Sequence, residues 1–237
     1  MLGSDAAPVG RTMQAVADDL GALLVGADIP GPYVLVAHSL GGFYVRLFAR
    51  DHVDQVAGIV LIDSSEEGSN LSEQGRAMVP SMTMLMSVAE WSSDVGLLPV
   101  LLAVLGQETP ADMPVNAVAM NLRPSQLAAA HDEIAATLLL SPAMQAPGGF
   151  GALGDLPLIV LSRDPDHPDA SAEEAAEWVA AQERLAALST GGERIVAAGS
   201  GHYIYRDRPD VVIDAIRRVV VAARNGTPLQ ASANPSP

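Results

Sequence analysis

Residues 38–42 read His-Ser-Leu-Gly-Gly, set between the apolar run YVLVA at 33–37 and the apolar segment FYVRLFA at 43–49. A serine hydroxyl is a weak nucleophile alone. It becomes a strong one when an imidazole takes its proton and a carboxylate orients that imidazole. A strand that runs into x-His-Ser-x-Gly-Gly and then into a helix is the sequence form of a nucleophile elbow, with the serine on a strained turn at the C-terminal end of the strand. That turn brings flanking backbones together, so small residues are needed two places to either side of the serine. Gly41 stands after Ser39, and Ala37 stands before it where glycine is usual. The same turn puts the Leu40 N–H at the start of the following helix, where it can meet a developing oxyanion. A plain strand-turn-helix corner with a capping serine is the bland alternative; the agreement of strand, spacing, glycines and helix favours the elbow.

The base for such a serine is His202, in GSGHYIYRDRPDVV, which follows a short apolar run and precedes a helical pattern. His38 and His52 lie too near the serine in sequence, His131 falls in a long helical interval, and His167 sits in an acidic loop; these four read as structural or solvated. The orienting acid belongs at a strand end between serine and histidine in chain order. Asp164, Asp166 and Asp169 in LSRDPDHPD answer to that description, and so does Asp63 at the end of AGIVLID.

The elements that must position these groups alternate. Thr12 is a plausible N-cap for a helix whose apolar residues recur at Met13, Val16, Leu20, Leu23, Leu24 and Ala27, and IPGP at 29–32 ends it. YVLVA (33–37), AGIVLID (57–63) and LPLIVLS (156–162) are apolar without alternation and bounded by turn residues, which predicts strands buried on both faces; RIVAAG (194–199) is a weaker fourth. Helical patterns at 42–49, 172–188 and 210–223 separate or follow them. Buried strands alternating with helices predict an α/β fold, a mostly parallel sheet covered on both faces. Residues 64–155 interrupt the alternation with helical stretches and no convincing strand, and read as an inserted helical subdomain, so that 1–63 and 156–224 form the core. The methionines of the insertion, Met78 to Met144, form its own small core or line an adaptable apolar pocket. The Pro-, Ser- and Asn-rich segment 225–237 reads as a disordered tail.

Composition narrows the function. The chain has 237 residues, 13 basic against 28 acidic, and a net charge of −15; every basic residue is arginine. That balance repels phosphate backbones and anionic bilayers, which argues against nucleic-acid and membrane partners. The absence of cysteine removes disulfides, thiolate metal sites and thiol nucleophiles together. The start, MLGSDAAPVGR, has no basic region followed by an apolar core, and the apolar run at 95–106 is too short to span a bilayer. A cytoplasmic protein is expected.

GPYVLVAHSLGGFYVRLFA, VAGIVLIDSS, LPLIVLSRDPD and GSGHYIYRDRPDVVIDAI together resemble the sequence blocks of the α/β-hydrolase superfamily, in particular its small-molecule, esterase-like members with a helical cap. The resemblance implies Ser39 as nucleophile, His202 as general base and the Leu40 N–H as one oxyanion donor. It also implies an acid nine residues after the proline that opens the third strand, which from Pro157 is Asp166, with Asp63 as the rival because Arg163 occupies a position where glycine is common. The implied function is hydrolysis of a small, mainly apolar ester or related acyl substrate through an acyl-enzyme, with no metal or organic cofactor. The alternative is a non-catalytic relative that binds a small ligand or a partner chain. Members of that superfamily carry several strands ahead of the elbow, whereas here 38 residues precede Ser39 and LGSD at 2–5 resembles the end of a Gly-x-Gly-x-Ser segment. The expectation is an N-terminally truncated fold in which YVLVA becomes a sheet edge, covered by a second copy or a partner chain.

Overall fold

The computed structural model describes residues 12–70, 150–167 and 171–229, together with isolated positions between Ser81 and Asp132. The chain divides into two compact units, one of Met1–Met13 with Ser72–Leu140 and the other of Gln14–Leu71 with Ser141–Pro237. Every candidate site residue belongs to the second unit, and most of the first falls outside the described residues, as does most of the expected insertion at 64–155.

The second unit is built on a parallel sheet of β1 (Tyr33–His38), β2 (Val56–Ile62), β3 (Leu158–Arg163) and β4 (Glu193–Ala197), in the order β1-β2-β3-β4. The helices among the described residues of this unit are α1 (Met13–Gly26), α2 (Gly41–Asp51), α3 (Glu67–Asn70), α4 (Ala172–Ala186), α5 (Ile204–Asp207) and α6 (Pro209–Asn225). Sequence accounts for their ends. α4 starts in a capping box, the Ser171 hydroxyl accepting from the Glu174 N–H while the Glu174 carboxylate accepts from the Ser171 N–H. α6 opens on Pro209 and closes on Gly226 in the left-handed conformation.

Helices cover both faces. Val60, Ile62, Ile159 and Leu161 pack with Val211, Val212, Ala215 and Val219 of α6 in one buried cluster. Leu61, on the opposite face, approaches the first turn of α2 at Gly42. Ile59, Val60, Leu61, Leu158, Ile159, Val160 and Leu161 have no exposed surface, which is why β2 and β3 are apolar without alternation. β1 departs from the expectation of burial on both faces: Val36 is 42% exposed while Leu35 and Ala37 are buried. Among the described residues β1 pairs with β2 alone, so it lies at the edge of the four strands. In α1, too, the buried side chains are Met13 and Ala17, and Leu23 is 64% exposed, so the packed stripe is rotated from the expected one. The expected tail at 225–237 starts too early: α6 includes Asn225, and Leu229 packs against the α6 cluster; residues 230–237 lie outside the described residues.

The approach of α6 to the sheet depends on Gly58. A Cβ there would clash with Val219 Cγ1 and sit 3.2 Å from the Pro157 carbonyl oxygen, so the Val219 side chain or α6 itself would have to shift. Gly58→Ala is expected to lower the free energy of unfolding by about 1–3 kcal/mol, the usual cost of overpacking a core, as measured by urea denaturation. Among the described residues, no helix is long and apolar enough to cross a membrane.

Candidate active site

Strand register brings the first two groups together. His38 is paired with Ile62, so Ser39 and Asp63 leave the sheet side by side at its C-terminal edge. Both residues have positive φ, 55° at Ser39 and 42° at Asp63, a conformation that costs a non-glycine residue about 1–3 kcal/mol and persists where surrounding bonds over-determine it. Here they do. The Ser39 N–H donates to the Ile62 carbonyl at 3.1 Å, and the Ser39 carbonyl accepts from Gly42 and Ser65 N–H groups, each at 3.1 Å. The Asp63 N–H donates to the Leu161 carbonyl at 2.7 Å. The crowded glycine of this turn is Gly42 rather than Gly41: a Cβ at Gly41 would make ordinary contact with Ala37 at 3.5 Å, whereas one at Gly42 would lie 2.7 Å from Ser64 Cβ. The Leu40 N–H, at the N-cap of α2, has no acceptor among the described residues.

The third group arrives from the far side of the sheet. β3 and β4 end in register at Arg163 and Ala197, and the loop that follows β4 carries His202 back over the strand ends. Asp164 fastens that loop: its N–H donates to the Ser200 carbonyl at 3.0 Å and its carboxylate accepts from the Gly199 N–H at 2.7 Å. The Gly199 and Asp166 N–H groups hold the Asp164 carboxyl below its ordinary pKa. His202 Nε2 lies 3.2 Å from Ser39 Oγ, and its Nδ1 lies 2.7 Å from Asp63 Oδ2. The result is an unbroken hydrogen-bonded chain from carboxylate to imidazole to hydroxyl. With Nδ1–H donating to Asp63, the free Nε2 lone pair faces the serine, the arrangement that general-base removal of its proton requires.

His38 braces the same imidazole. Its Nε2–H donates to the His202 carbonyl at 2.9 Å, and the two rings stand 4.5 Å apart. Burial is the largest influence on His38 and lowers its pKa; the hydrogen bond to the His202 carbonyl opposes this and the neighbouring His202 ring adds to it.

A model of the alpha/beta hydrolase family matches residues 2–215. The chain belongs to that family. Among relatives in sequence, the uncharacterized protein YqjL of Bacillus subtilis is 26% identical over 225 residues, 94% of this chain and 71% of that one. An uncharacterized protein of Schizosaccharomyces pombe is 39% identical over 82 residues, which are 35% of this chain and 15% of that much longer protein. In three dimensions the chain is similar to an esterase from Thermogutta terrifontis, with a TM-score of 0.56 at 20% identity over 93% of this chain and 76% of the other, a likeness of fold.

In this α/β-hydrolase family member the aspartate that the resemblance implied as acid, Asp166, is not the one the structure brings to His202; its rival Asp63 is. Asp166 is exposed, and its N–H donates to Asp164 Oδ1 at 2.9 Å, a turn contact that leaves the carboxylate in solvent. The carboxylate against His202 is that of Asp63. The reason lies in the loop after β3. Arg163 turns its N–H and guanidinium onto Asp63, and Asp164 is engaged with residues 199 and 200, so the segment is used as a brace, and the exposed Asp166 carboxylate makes no hydrogen bond to the imidazole among the described residues. Asp169 and His131 lie outside the described residues. His52 packs against Phe48 with ring centres 4.5 Å apart, away from the site. Among the described residues, no three His, Asp or Glu side chains are grouped so as to hold a metal ion. Trp178, which donates to Asp63 Oδ1 at 2.7 Å, escaped the sequence reading because nothing in a helical AEEAAEWVAAQERLA marks its tryptophan as aimed at a strand end.

Proposed function

We propose that this hydrolase is a serine esterase that cleaves a small, mainly apolar ester or related acyl compound, with Ser39 as nucleophile, His202 as general base and Asp63 as orienting acid. The observation that carries the reading is the continuous Asp63–His202–Ser39 chain, 2.7 Å and then 3.2 Å, on a serine with a φ of 55°. In this scheme Ser39 Oγ attacks the acyl carbon as its proton passes to His202 Nε2, and the alcohol leaves with that proton. Water, deprotonated by the same imidazole, then attacks the acyl-enzyme and restores Ser39. The Leu40 N–H, at the first turn of α2, is the donor for the oxyanion formed at each stage. The apolar preference rests on the Leu- and Met-rich composition of 64–155. No step calls for a metal or organic cofactor, and a cytoplasmic location remains part of the proposal.

The test is covalent labelling. A fluorophosphonate reacts with a serine only when a base has activated it. The purified chain is expected to give one adduct, mapped to Ser39 by peptide mass spectrometry and lost in His202→Ala. A folded chain that takes no label would overturn the proposal in favour of a non-catalytic ligand-binding protein.

A further inference from the structure

We propose that Trp178 and Arg163 act as positioning residues for Asp63, a paired clamp that fixes the carboxylate in the rotamer presenting Oδ2 to His202. The inference rests on Asp63 being the acid of the proposed serine esterase. A carboxylate with no exposed surface needs donors to offset the loss of water, and Asp63 has four. Oδ1 accepts from the Arg163 backbone N–H at 3.0 Å and from Trp178 Nε1 at 2.7 Å; Oδ2 accepts from His202 Nδ1 at 2.7 Å and from the Arg163 guanidinium at 3.3 Å. The two donors on Oδ1 belong to neither the serine nor the imidazole, and they stop the carboxylate from turning away from His202.

The two clamp residues also order each other. The Arg163 guanidinium stacks over the Trp178 ring at 4.3 Å from its centre, so one indole both donates to the acid and supports the cation beside it. The clamp is mounted on a held helix. One turn beyond Trp178, and on the same face of α4, Gln182 Nε2 donates to the Ser64 carbonyl at 2.7 Å, gripping the residue that follows Asp63. α4 thereby meets the turn after β2 at two consecutive points, one on the acid and one on its neighbour. This gives the tryptophan a role that packing alone does not explain, since its single polar atom is spent on the acid.

Trp178→Phe tests the clamp, because it keeps a ring for Arg163 and removes the N–H. With p-nitrophenyl butyrate as probe substrate, the expected result is a fall in kcat of about 10- to 100-fold at a KM within about twofold, the scale on which outer partners orient a working ligand. Placed on top of Asp63→Asn, the same change is expected to cost almost nothing further, because it acts through the acid. A Trp178→Phe enzyme that folds and keeps kcat within about twofold overturns the clamp, while a large loss in Asp63→Asn alone still upholds the acid. An Asp63→Asn enzyme close to wild type overturns the acid assignment itself and the clamp with it. If Trp178→Phe does not fold, Arg163→Met carries the test; it keeps the backbone N–H and a long unbranched side chain, loses the guanidinium, and is expected to lower kcat about tenfold with KM unchanged.

Discussion

Asp63→Asn is expected to lower kcat by about ten-thousandfold, the cost of this exchange in a serine-histidine-aspartate enzyme, while Asp166→Asn leaves kcat within about twofold. The amide cannot satisfy the donors that surround Asp63. Turned with its NH2 toward His202, it would donate to Nδ1, force the hydrogen onto Nε2 and abolish the lone pair that faces Ser39 Oγ at 3.2 Å. Turned the other way, it would confront the Arg163 N–H and Trp178 Nε1, two half-buried donors now at 3.0 and 2.7 Å from an oxygen, and leave both without that acceptor. Unfolding free energy should therefore fall as well, by about 1–3 kcal/mol for each donor left unmet. At Asp166, by contrast, the hydrogen bond to Asp164 uses the backbone N–H, which asparagine keeps, and the carboxylate is exposed. Steady-state hydrolysis of p-nitrophenyl butyrate by the two variants, with urea unfolding as a control, makes the comparison. Loss of activity in Asp166→Asn and not in Asp63→Asn would return the acid to the loop after β3.

That comparison falls on the point where sequence was least able to decide. The runs YVLVA, AGIVLID and LPLIVLS announce strands because parallel strands covered on both faces are apolar at every position, and the Ser-Leu-Gly-Gly turn announces an elbow because few backbones tolerate that geometry. The imidazole that lies against Ser39, His202, is legible from its place between the last strand and the last helix. The carboxylate that lies against His202 is not, since two strand ends each supply an aspartate and the choice is made by residues far apart in sequence. Arg163, in a position where glycine is common, was the visible sign of trouble; its N–H and guanidinium are what tie the end of β3 to Asp63. Trp178 lies 115 positions from Asp63 and had no local signature at all. Crowding was misplaced by one residue for a similar reason. Gly42 meets Ser64, across the turn after β2, a neighbour that only tertiary structure supplies. The exposed Val36 and the rotated stripe of α1 likewise reflect which neighbours each element has, which no periodicity encodes.

Ser39 carries the largest expected effect. Ser39→Ala removes the attacking oxygen and should reduce kcat by about a millionfold, to the level left by binding and oxyanion donors alone, and abolish fluorophosphonate labelling. Stability separates this loss from a folding defect. Alanine retains Cβ, so the φ of 55° remains as strained as with serine, and the unfolding free energy should match that of the parent chain. Ser39→Gly is equally inactive but relieves the left-handed strain, worth about 1–3 kcal/mol, against a backbone-entropy penalty of about 0.5–1 kcal/mol. It should therefore be more stable than Ser39→Ala by about 1 kcal/mol in urea. The parent residue is then less stable than its inert glycine replacement, as expected where a side chain is held in an unfavourable conformation for its chemistry. Hydrolysis surviving in Ser39→Ala would place the nucleophile elsewhere. A glycine variant less stable than the alanine one would mean that the turn at Ser39 stores no strain, and the elbow would lose its physical basis.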